Sequence, residues 1–283
     1  MPRSRPTDLP DFRLPPVVEV YLSVQFEPIA GFDATVMSAC CSEFAANFPK
    51  VRYQQPLGHD LEVFSPSSLA PPAFQFQIGG PPDISVRLAL TSADGARLLQ
   101  IQSDRLVHNW RRQGSETDYP RYESIREAFE GHARTFLALV ARAGLADPVI
   151  DQCEISYINR IEAPTDSGGY AGAGRVFSQL RPIDGRDSLP RLEDLGFRAR
   201  YVVEDTDHPP IARLHTLAQP EFNDGSGTPP AFRFNLMSRG RPPVPTLDGS
   251  LSFFDLGRRT IVNAFAALTT PEMHQVWGRT DVA

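Results

Sequence analysis

Apolar and polar residues alternate cleanly in VVEVYLSVQFEP, residues 17–28. Every second side chain, from Val18 to Phe26, is apolar, which is the period of a β-strand that packs one face on a core. The intervening side chains, such as Glu19 and Gln25, are polar, so the opposite face of this strand contacts water or a ligand. The stretch therefore predicts a half-buried strand.

The same alternation continues in ISVRLALTS (residues 84–92) and LLQIQSDRL (residues 98–106), which flank the turn signal ADG. Two such stretches around an Asp-Gly turn predict a β-hairpin. The alternation shifts at Asp104-Arg105, where we expect a bulge or bend within the second strand.

Helical spacing of apolar residues predicts a helix in TVMSACCSEFAANFP and a long helix that starts near Pro120 and closes at Gly144. The order then restarts with a strand in QCEISYINRIE, three strands in FRARYVVED, IARLHTLAQ and AFRFNLMSR, and a final helix over residues 253–268. This order predicts an α+β fold, an antiparallel sheet with long helices packed on one face. It also suggests an internal duplication of a strand–helix–strands–helix unit.

The chain divides into three segments on this pattern. Residues 1–16 are rich in proline and charge and predict a flexible or loosely docked N-terminal arm. Residues 17–146 form a first α+β half, and residues 151–283 form a second. At 283 residues the two halves could also share one continuous domain.

The polar positions of the predicted strands collect into a surface rich in arginine. Lys50 is the only lysine among 28 basic residues, and arginine forms forked hydrogen bonds with carboxylates and phosphates that lysine cannot match. An exposed Trp110 could also stack on a nucleic-acid base. The alternative is a merely solvated face whose arginines pair with glutamates. The candidate binding residues are Gln100, Gln102, Arg105, Asn109, Trp110, Arg111, Arg198, Arg200, Arg213, His215, Arg233 and Arg239.

Charge and cysteine usage narrow the class of partner and the compartment. The net charge of −6 at pH 7 argues against general affinity for nucleic acids but is compatible with a local basic patch. The three cysteines have no metal-binding spacing, the N-terminus lacks a hydrophobic signal core, and no apolar run reaches ~20 residues. These features predict a cytoplasmic protein that does not contact a membrane.

Motifs for catalysis are missing from the sequence. No serine lies in G-x-S-x-G, the six histidines lack the i, i+4 spacing of a zinc helix, and GGYAGAGR lacks the lysine of a phosphate-binding loop. We therefore predict no catalytic residues, no cofactor and no metal site. The sequence favours a binding protein over an enzyme without excluding catalysis.

Several motifs resemble a known group of proteins. VVEVYLSVQFEP, LLQIQSDRLVHNWRR followed by YPRY, CEISYINRI and TTPEMHQVWGR occur here in an order similar to that of a sporadically distributed family of uncharacterised bacterial proteins of about this length. The resemblance implies no catalytic residue. Its patchy distribution is typical of bacterial conflict and defence loci, which implies an accessory or antitoxin-like protein that binds a partner.

Three functions remain open at this point. The first is a non-enzymatic binding or regulatory protein whose arginine-rich sheet face contacts a protein partner. The second is a single-stranded nucleic-acid binder that uses the same arginines, with an affinity that falls steeply with salt. The third is a small-molecule sensor or enzyme with a pocket between the sheet and the helices.

Overall fold

A computed structural model describes residues 8–58, 61–64, 86–114, 118–164, 169–180, 190, 192–205, 208–221 and 230–280. Its strands are β1 (Asp11–Phe12), β2 (Val17–Phe26), β3 (Lys50–Gln54), β4 (Arg87–Thr91), β5 (Arg97–Gln102), β6 (Arg105–Arg111), β7 (Ile150–Glu162), β8 (Phe197–Asp205), β9 (His208–Glu221), β10 (Ala231–Gly240) and β11 (Arg279–Thr280). Its helices are α1 (Ala34–Phe44), α2 (Arg121–Arg142), α3 (Ala173–Val176), α4 (Leu247–Leu268) and α5 (Pro271–Val276).

Nine of these strands form one antiparallel sheet in the order β3-β4-β5-β6-β2-β7-β10-β9-β8. The two halves meet where β2 pairs with β7, with Leu22 opposite Ile155. From this centre outward, β2-β6-β5-β4 in one half corresponds to β7-β10-β9-β8 in the other, and a long helix follows both β6 and β10. The α+β class is confirmed, and one arrangement is repeated on the two sides of a continuous sheet.

Both long helices pack on the same face of the sheet. Val20, Leu22, Val24 and Phe26 of β2 point to this face and are at most 3% exposed, because alternate side chains of a strand point to one side. Phe136 of α2 stacks on Phe26 with ring centroids 6.1 Å apart, and Phe129 meets Phe254 of α4 edge to face at 5.1 Å. The core therefore lies between this face and the two helices.

One predicted strand is in fact two strands. The hairpin around ADG is present as β4 paired with β5, but β5 ends at Gln102 and β6 begins at Arg105. These two residues face each other across a turn at Ser103-Asp104, where the Gln102 amide donates to the Asp104 carboxylate at 2.5 Å. Ser and Asp favour turns because their side chains bond to nearby polar groups. The shift in alternation marks a hairpin turn between two strands, where a bulge or bend within one continuous strand was expected.

The last long helix starts six residues earlier than expected, at Leu247 instead of residue 253. Thr246 caps it by accepting a hydrogen bond from the Gly249 amide at 3.2 Å. Gly249 resembles a turn residue in sequence, but a Cβ here would collide with the Val244 carbonyl. Glycine at this position therefore allows the Val244 carbonyl to lie close to the backbone of the first helical turn.

Residues 8–16 of the expected N-terminal arm dock on the rest of the chain, while residues 1–7 lie outside the described residues. β1 pairs with β11 near the other end of the chain, and the Arg13 amide donates to the Gly278 carbonyl at 3.1 Å. Phe12 is 5% exposed and packs edge to face on Phe265. Burial of the apolar side chains among the prolines holds the segment in place.

Candidate functional site

The sheet has a second face, turned away from α2 and α4, which we call the polar face. Residues paired across antiparallel strands point to the same side, so the register assigns the side of each residue. Arg105 lies opposite Gln25, Arg239 opposite Glu154 and Arg213, and Arg200 opposite His215. All the candidate binding residues except Trp110 lie on this face, over five strands. They are Gln100, Gln102, Arg105, Asn109, Arg111, Arg198, Arg200, Arg213, His215, Arg233 and Arg239.

Trp110 belongs to the other face of the sheet, which corrects its assignment to the binding surface. It lies opposite Val20 in the register, is only 4% exposed, and packs on Tyr119 with ring centroids 5.4 Å apart. After the turn at residues 103–104, the even-numbered residues of β6 point to the core. A tryptophan in this position stabilises the contact between β6 and the start of α2, and it has no free ring face for a base.

Residues 57–58 and 61–64, the crossing segment, lie over the polar face and run across its strands. The Leu57 amide donates to Gln102 Oε1 at 3.0 Å, and Gln102 Nε2 donates to the Leu57 carbonyl at 3.1 Å. The Arg105 guanidinium donates to the Gly58 carbonyl. On β7, Gln152 Oε1 accepts from the Glu62 amide at 3.3 Å. Side chains of the sheet thus bond the backbone of an extended segment.

The Glu62 carboxylate is seated between two residues of β9. Arg213 Nη1 donates to one carboxylate oxygen, and His215 Nε2 lies 2.9 Å from the other. Arg213 also donates to the Val63 carbonyl at 3.0 Å, and its guanidinium lies 4.6 Å from the centre of the Phe64 ring. Burial alone would raise the pKa of Glu62, but the hydrogen bonds from His215 and Arg213 outweigh it and lower the pKa. Glu62, 7% exposed, is therefore held as a carboxylate.

A second closed cluster occupies the centre of the polar face. Glu154 accepts from Arg239 Nε at 2.6 Å and from the Tyr21 hydroxyl at 2.5 Å. Burial, and then the negative charge of Glu154, raise the pKa of the Tyr21 hydroxyl, so Tyr21 stays neutral and donates. Arg239 and Arg213 are thus engaged in ion pairs with glutamates, as expected if the face were merely solvated and not a binding surface.

The arginines nearer the β8 edge are exposed. Arg198 and Arg200 lie on β8 and are open to solvent, and within the described ranges no carboxylate is at ion-pair distance from either. Arg233 is also exposed, and its nearest ion-pair oxygen is Glu19 Oε2 at 3.8 Å. The other oxygen of Glu19 pairs with Arg111 Nε at 2.9 Å. The polar face therefore has a closed centre and an open row of guanidinium groups at one side.

Glu62 is the residue of the candidate site that sequence patterns missed. It follows β3 in a stretch rich in proline and glycine and has no strand or helix period, so nothing local relates it to Arg213, which lies 151 residues further along the chain. The only sequence signal is an acidic residue between apolar ones in DLEVF. Its place on the sheet follows from the path of the chain over the polar face, where the crossing segment contacts β5, β6, β7 and β9.

Comparison with protein-family models and with curated protein sequences finds no match for this chain. The resemblance of its motifs to a bacterial family thus stays an expectation. In the part of the chain that the structure describes, no helix combines the length and the apolar character needed to cross a membrane. The same part brings no three His, Cys, Asp or Glu side chains together as a metal site would require.

Proposed function

We propose that this protein is a non-enzymatic binding protein that holds an extended acidic segment of a protein partner on the polar face of its sheet. The observation that carries the proposal is the Glu62 carboxylate, seated between Arg213 and His215. The crossing segment of the chain itself makes these backbone and carboxylate contacts, and a partner segment could make the same contacts in the same place. The motif resemblance suggests an accessory or antitoxin-like role in a conflict locus as part of this proposal.

The way in which the crossing segment is held supports recognition of an extended backbone. Gln102, Arg105 and Gln152 bond its amides and carbonyls through their side chains, independently of its own side chains. Charge-assisted hydrogen bonds at a carboxylate then supply specificity, since they are about twice as strong as neutral ones. A partner segment with one Glu or Asp between apolar residues fits both features.

The exposed arginines extend this site towards the β8 edge. Arg200 lies directly opposite His215 in the register, so the open row begins beside the Glu62 carboxylate. A partner with further acidic residues would contact Arg198 and Arg200 through forked hydrogen bonds. The polar face therefore favours a partner segment more acidic than the chain's own.

A labelled peptide with the sequence of residues 57–64, LGHDLEVF, tests the proposal on the full-length chain carrying Glu62→Gln. This substitution weakens the chain's own carboxylate contact and leaves Arg213 for the peptide. We expect saturable binding by fluorescence anisotropy, and about tenfold weaker binding for LGHDLQVF, because hydrogen bonds to a charged group contribute ~1.5–3 kcal/mol. Equal affinity for the two peptides would exclude a carboxylate-specific site.

Two further substitutions, each added to the full-length chain carrying Glu62→Gln, test whether the peptide binds on the polar face. Adding Arg213→Gln is expected to reduce peptide binding about tenfold, since the guanidinium contact is lost. Adding Arg142→Gln is the matched control, because Arg142 pairs with Glu43 between α2 and α1, on the helical side of the sheet. If Arg142→Gln weakens the peptide as much as Arg213→Gln, the binding is a non-specific effect of charge.

The nucleic-acid alternative makes a different prediction for the same protein. The chain would bind a dT20 oligonucleotide with an affinity that falls steeply between low and physiological salt. On the described part of the polar face the strand aromatic is Tyr21, whose hydroxyl is engaged by Glu154, and Trp110 lies on the other side. We therefore expect the oligonucleotide to bind weakly, and tight salt-dependent binding that Arg198→Gln and Arg200→Gln abolish would replace the peptide proposal.

A further inference from the structure

A cavity lies on the other side of the sheet, between β7, β10, α2 and α4, and beneath the docked N-terminal segment. It measures about 60 Å³, and three tyrosines, Tyr119, Tyr122 and Tyr157, line it together with apolar side chains of α4. Pro15, Tyr119 and Arg121 also line a groove of about 580 Å³ at the surface. We call the two spaces the inner cavity and the outer groove, and their shared residues make them neighbours.

Most of the lining of the inner cavity is apolar, and tyrosine hydroxyls, Asn159 and the ion pair of Arg258 with Glu123 also lie at its wall. Leu236, Ile261 and Phe265 belong to the apolar lining. The Tyr119 hydroxyl donates to the Tyr157 hydroxyl at 3.3 Å. Protein cores are close-packed, so a space large enough for about four water molecules, at ~10–15 Å³ each, is unusual in a core. Its walls suit a ring or a short alkyl chain.

The outer groove carries positive charge next to exposed apolar side chains. Leu14 and Val276 line it and are 72% and 63% exposed, beside the indole of Trp277. Arg13 and Arg112 also line it, and neither has a carboxylate partner among the described residues.

Two further arginines of the groove are already engaged. Arg121 is held by Asp11 at 3.0 Å, and Arg160 by Glu221 at 2.8 Å. Arg112 has a buried Nε atom that makes no hydrogen bond within the described ranges, and its Nη2 reaches only the Pro15 carbonyl at 3.4 Å. Arg112 lines the groove without a carboxylate partner among the described residues, so an anion in the groove would supply the partner that its guanidinium lacks.

Backbone strain marks the junction of the two spaces. Arg121 has a φ of 69°, in the left-handed region of the backbone that residues with a Cβ rarely adopt. The conformation is maintained because the Arg121 guanidinium bonds Asp11 and the Phe12 carbonyl of the N-terminal segment. Such strain is typical of functional sites, where the surroundings enforce it. The N-terminal segment is thus fastened over the cavity by a strained residue.

We propose that the inner cavity and the outer groove together bind a small organic anion with an apolar tail. The anionic head contacts Arg112 and Arg13, and the apolar body passes Trp277 and Tyr119 towards the inner cavity. Largely apolar pockets with a few oriented polar groups are the usual form of small-molecule sites. A carboxylate head is the form we infer, because it matches the forked geometry of arginine and places one charge in a small groove. This site shares no residue with the proposed partner contact on the polar face.

The two tryptophans of the chain report directly on this site. Trp277 lines the groove, and Trp110 packs on Tyr119. We expect phenylbutyrate or octanoate to change the tryptophan fluorescence saturably, and phenylbutanamide, which lacks the charge, to bind about tenfold more weakly. Phenyl phosphate tests the head group, and tighter binding of this probe would assign the site to phosphates. The absence of a saturable change with all of these anions would overturn the proposal.

Two variants separate the head contact from the cavity. Arg112→Gln is expected to weaken phenylbutyrate about tenfold and leave the amide unchanged. Val262→Phe places a ring in the inner cavity, whose wall Val262 forms, and is expected to weaken the acid and the amide alike. Arg142→Gln, far from the groove, is the charge control. Binding that survives Val262→Phe unchanged would contradict the use of the cavity, and the melting temperature of each variant checks that it is folded.

Discussion

Lowering the pH from 6.5 to 5.0 is expected to reduce the free energy of unfolding by about 3 kcal/mol through His108 and His132 alone. His108, on the core face of β6, is 1% exposed, and its ring centroid lies 4.9 Å from that of His132 on α2. Phe44 and Phe48 surround the His132 ring. Burial, and then the charge of His132, lower the pKa of His108 to about 3. Burial, and then the charge of Arg97, lower the pKa of His132 to about 4.

The direction of the effect follows from which state binds the protons. An unfolded histidine takes up a proton near pH 6.5, whereas neither ring in the folded protein does so above pH 5. The unfolded chain therefore binds more protons as the pH falls, and the stability that is complete about one pH unit above 6.5 is progressively lost below it. Each histidine contributes about 1.6 kcal/mol over this interval, because the slope is only half of 1.36 kcal/mol per pH unit at pH 6.5 and approaches the full value at lower pH.

Urea unfolding at several pH values between 6.5 and 5.0 measures this loss. In the double variant His108→Leu, His132→Leu, the free energy of unfolding is expected to change by about 3 kcal/mol less over that range than in the parent chain. The interval stops at pH 5 because carboxylates with lowered pKa, such as Glu62, add a loss of the same sign at lower pH. If both proteins lose equal stability, the two rings are not the buried neutral pair that the structure contains.

Alanine at two helical glycines is expected to change stability in opposite directions. Gly257, in the middle of α4, faces the sheet, where an added Cβ would lie 2.5 Å from Ile155 Cγ2 and 3.2 Å from Ser238 Cβ. Overpacking of this kind costs ~1–3 kcal/mol, often because neighbouring backbone must shift. Gly131, in α2, has nothing within 4 Å of the same position. Gly131→Ala is therefore expected to stabilise the protein by about 1 kcal/mol, the difference in helix propensity.

The two variants form a matched pair because the propensity gain is common to both. The difference between their free energies of unfolding thus isolates the steric cost at Gly257, which we expect to be about 2 kcal/mol or more, with Gly257→Ala less stable than the parent chain. Urea unfolding of the three proteins at pH 7 supplies the comparison. A gain in stability from Gly257→Ala would mean that α4 does not approach β7 and β10 as closely as the structure shows.

Local sequence pattern was sufficient to predict most strands of the large sheet, though not β3 or the division of β5 from β6, and the side of the sheet that most candidate residues occupy. Alternation with a period of two is a property of the extended backbone itself, so Arg200, Arg213 and Arg239 could be assigned to one face from their spacing alone. The α+β class and the repeated order of elements follow from the same information, because helices must cover the apolar side of such strands.

Only the tertiary structure decided which of these residues are accessible. Arg213 and Arg198 have equivalent positions in the sequence pattern, yet Arg213 is closed over by Glu62 and Arg198 is open. The crossing segment has no periodicity, and its position depends on hydrogen bonds to residues far along the chain. Docking of Phe12 against Phe265 likewise joins the two ends of the chain. Periodicity reports how a residue relates to its own strand or helix, whereas contacts between distant segments depend on how those elements pack together.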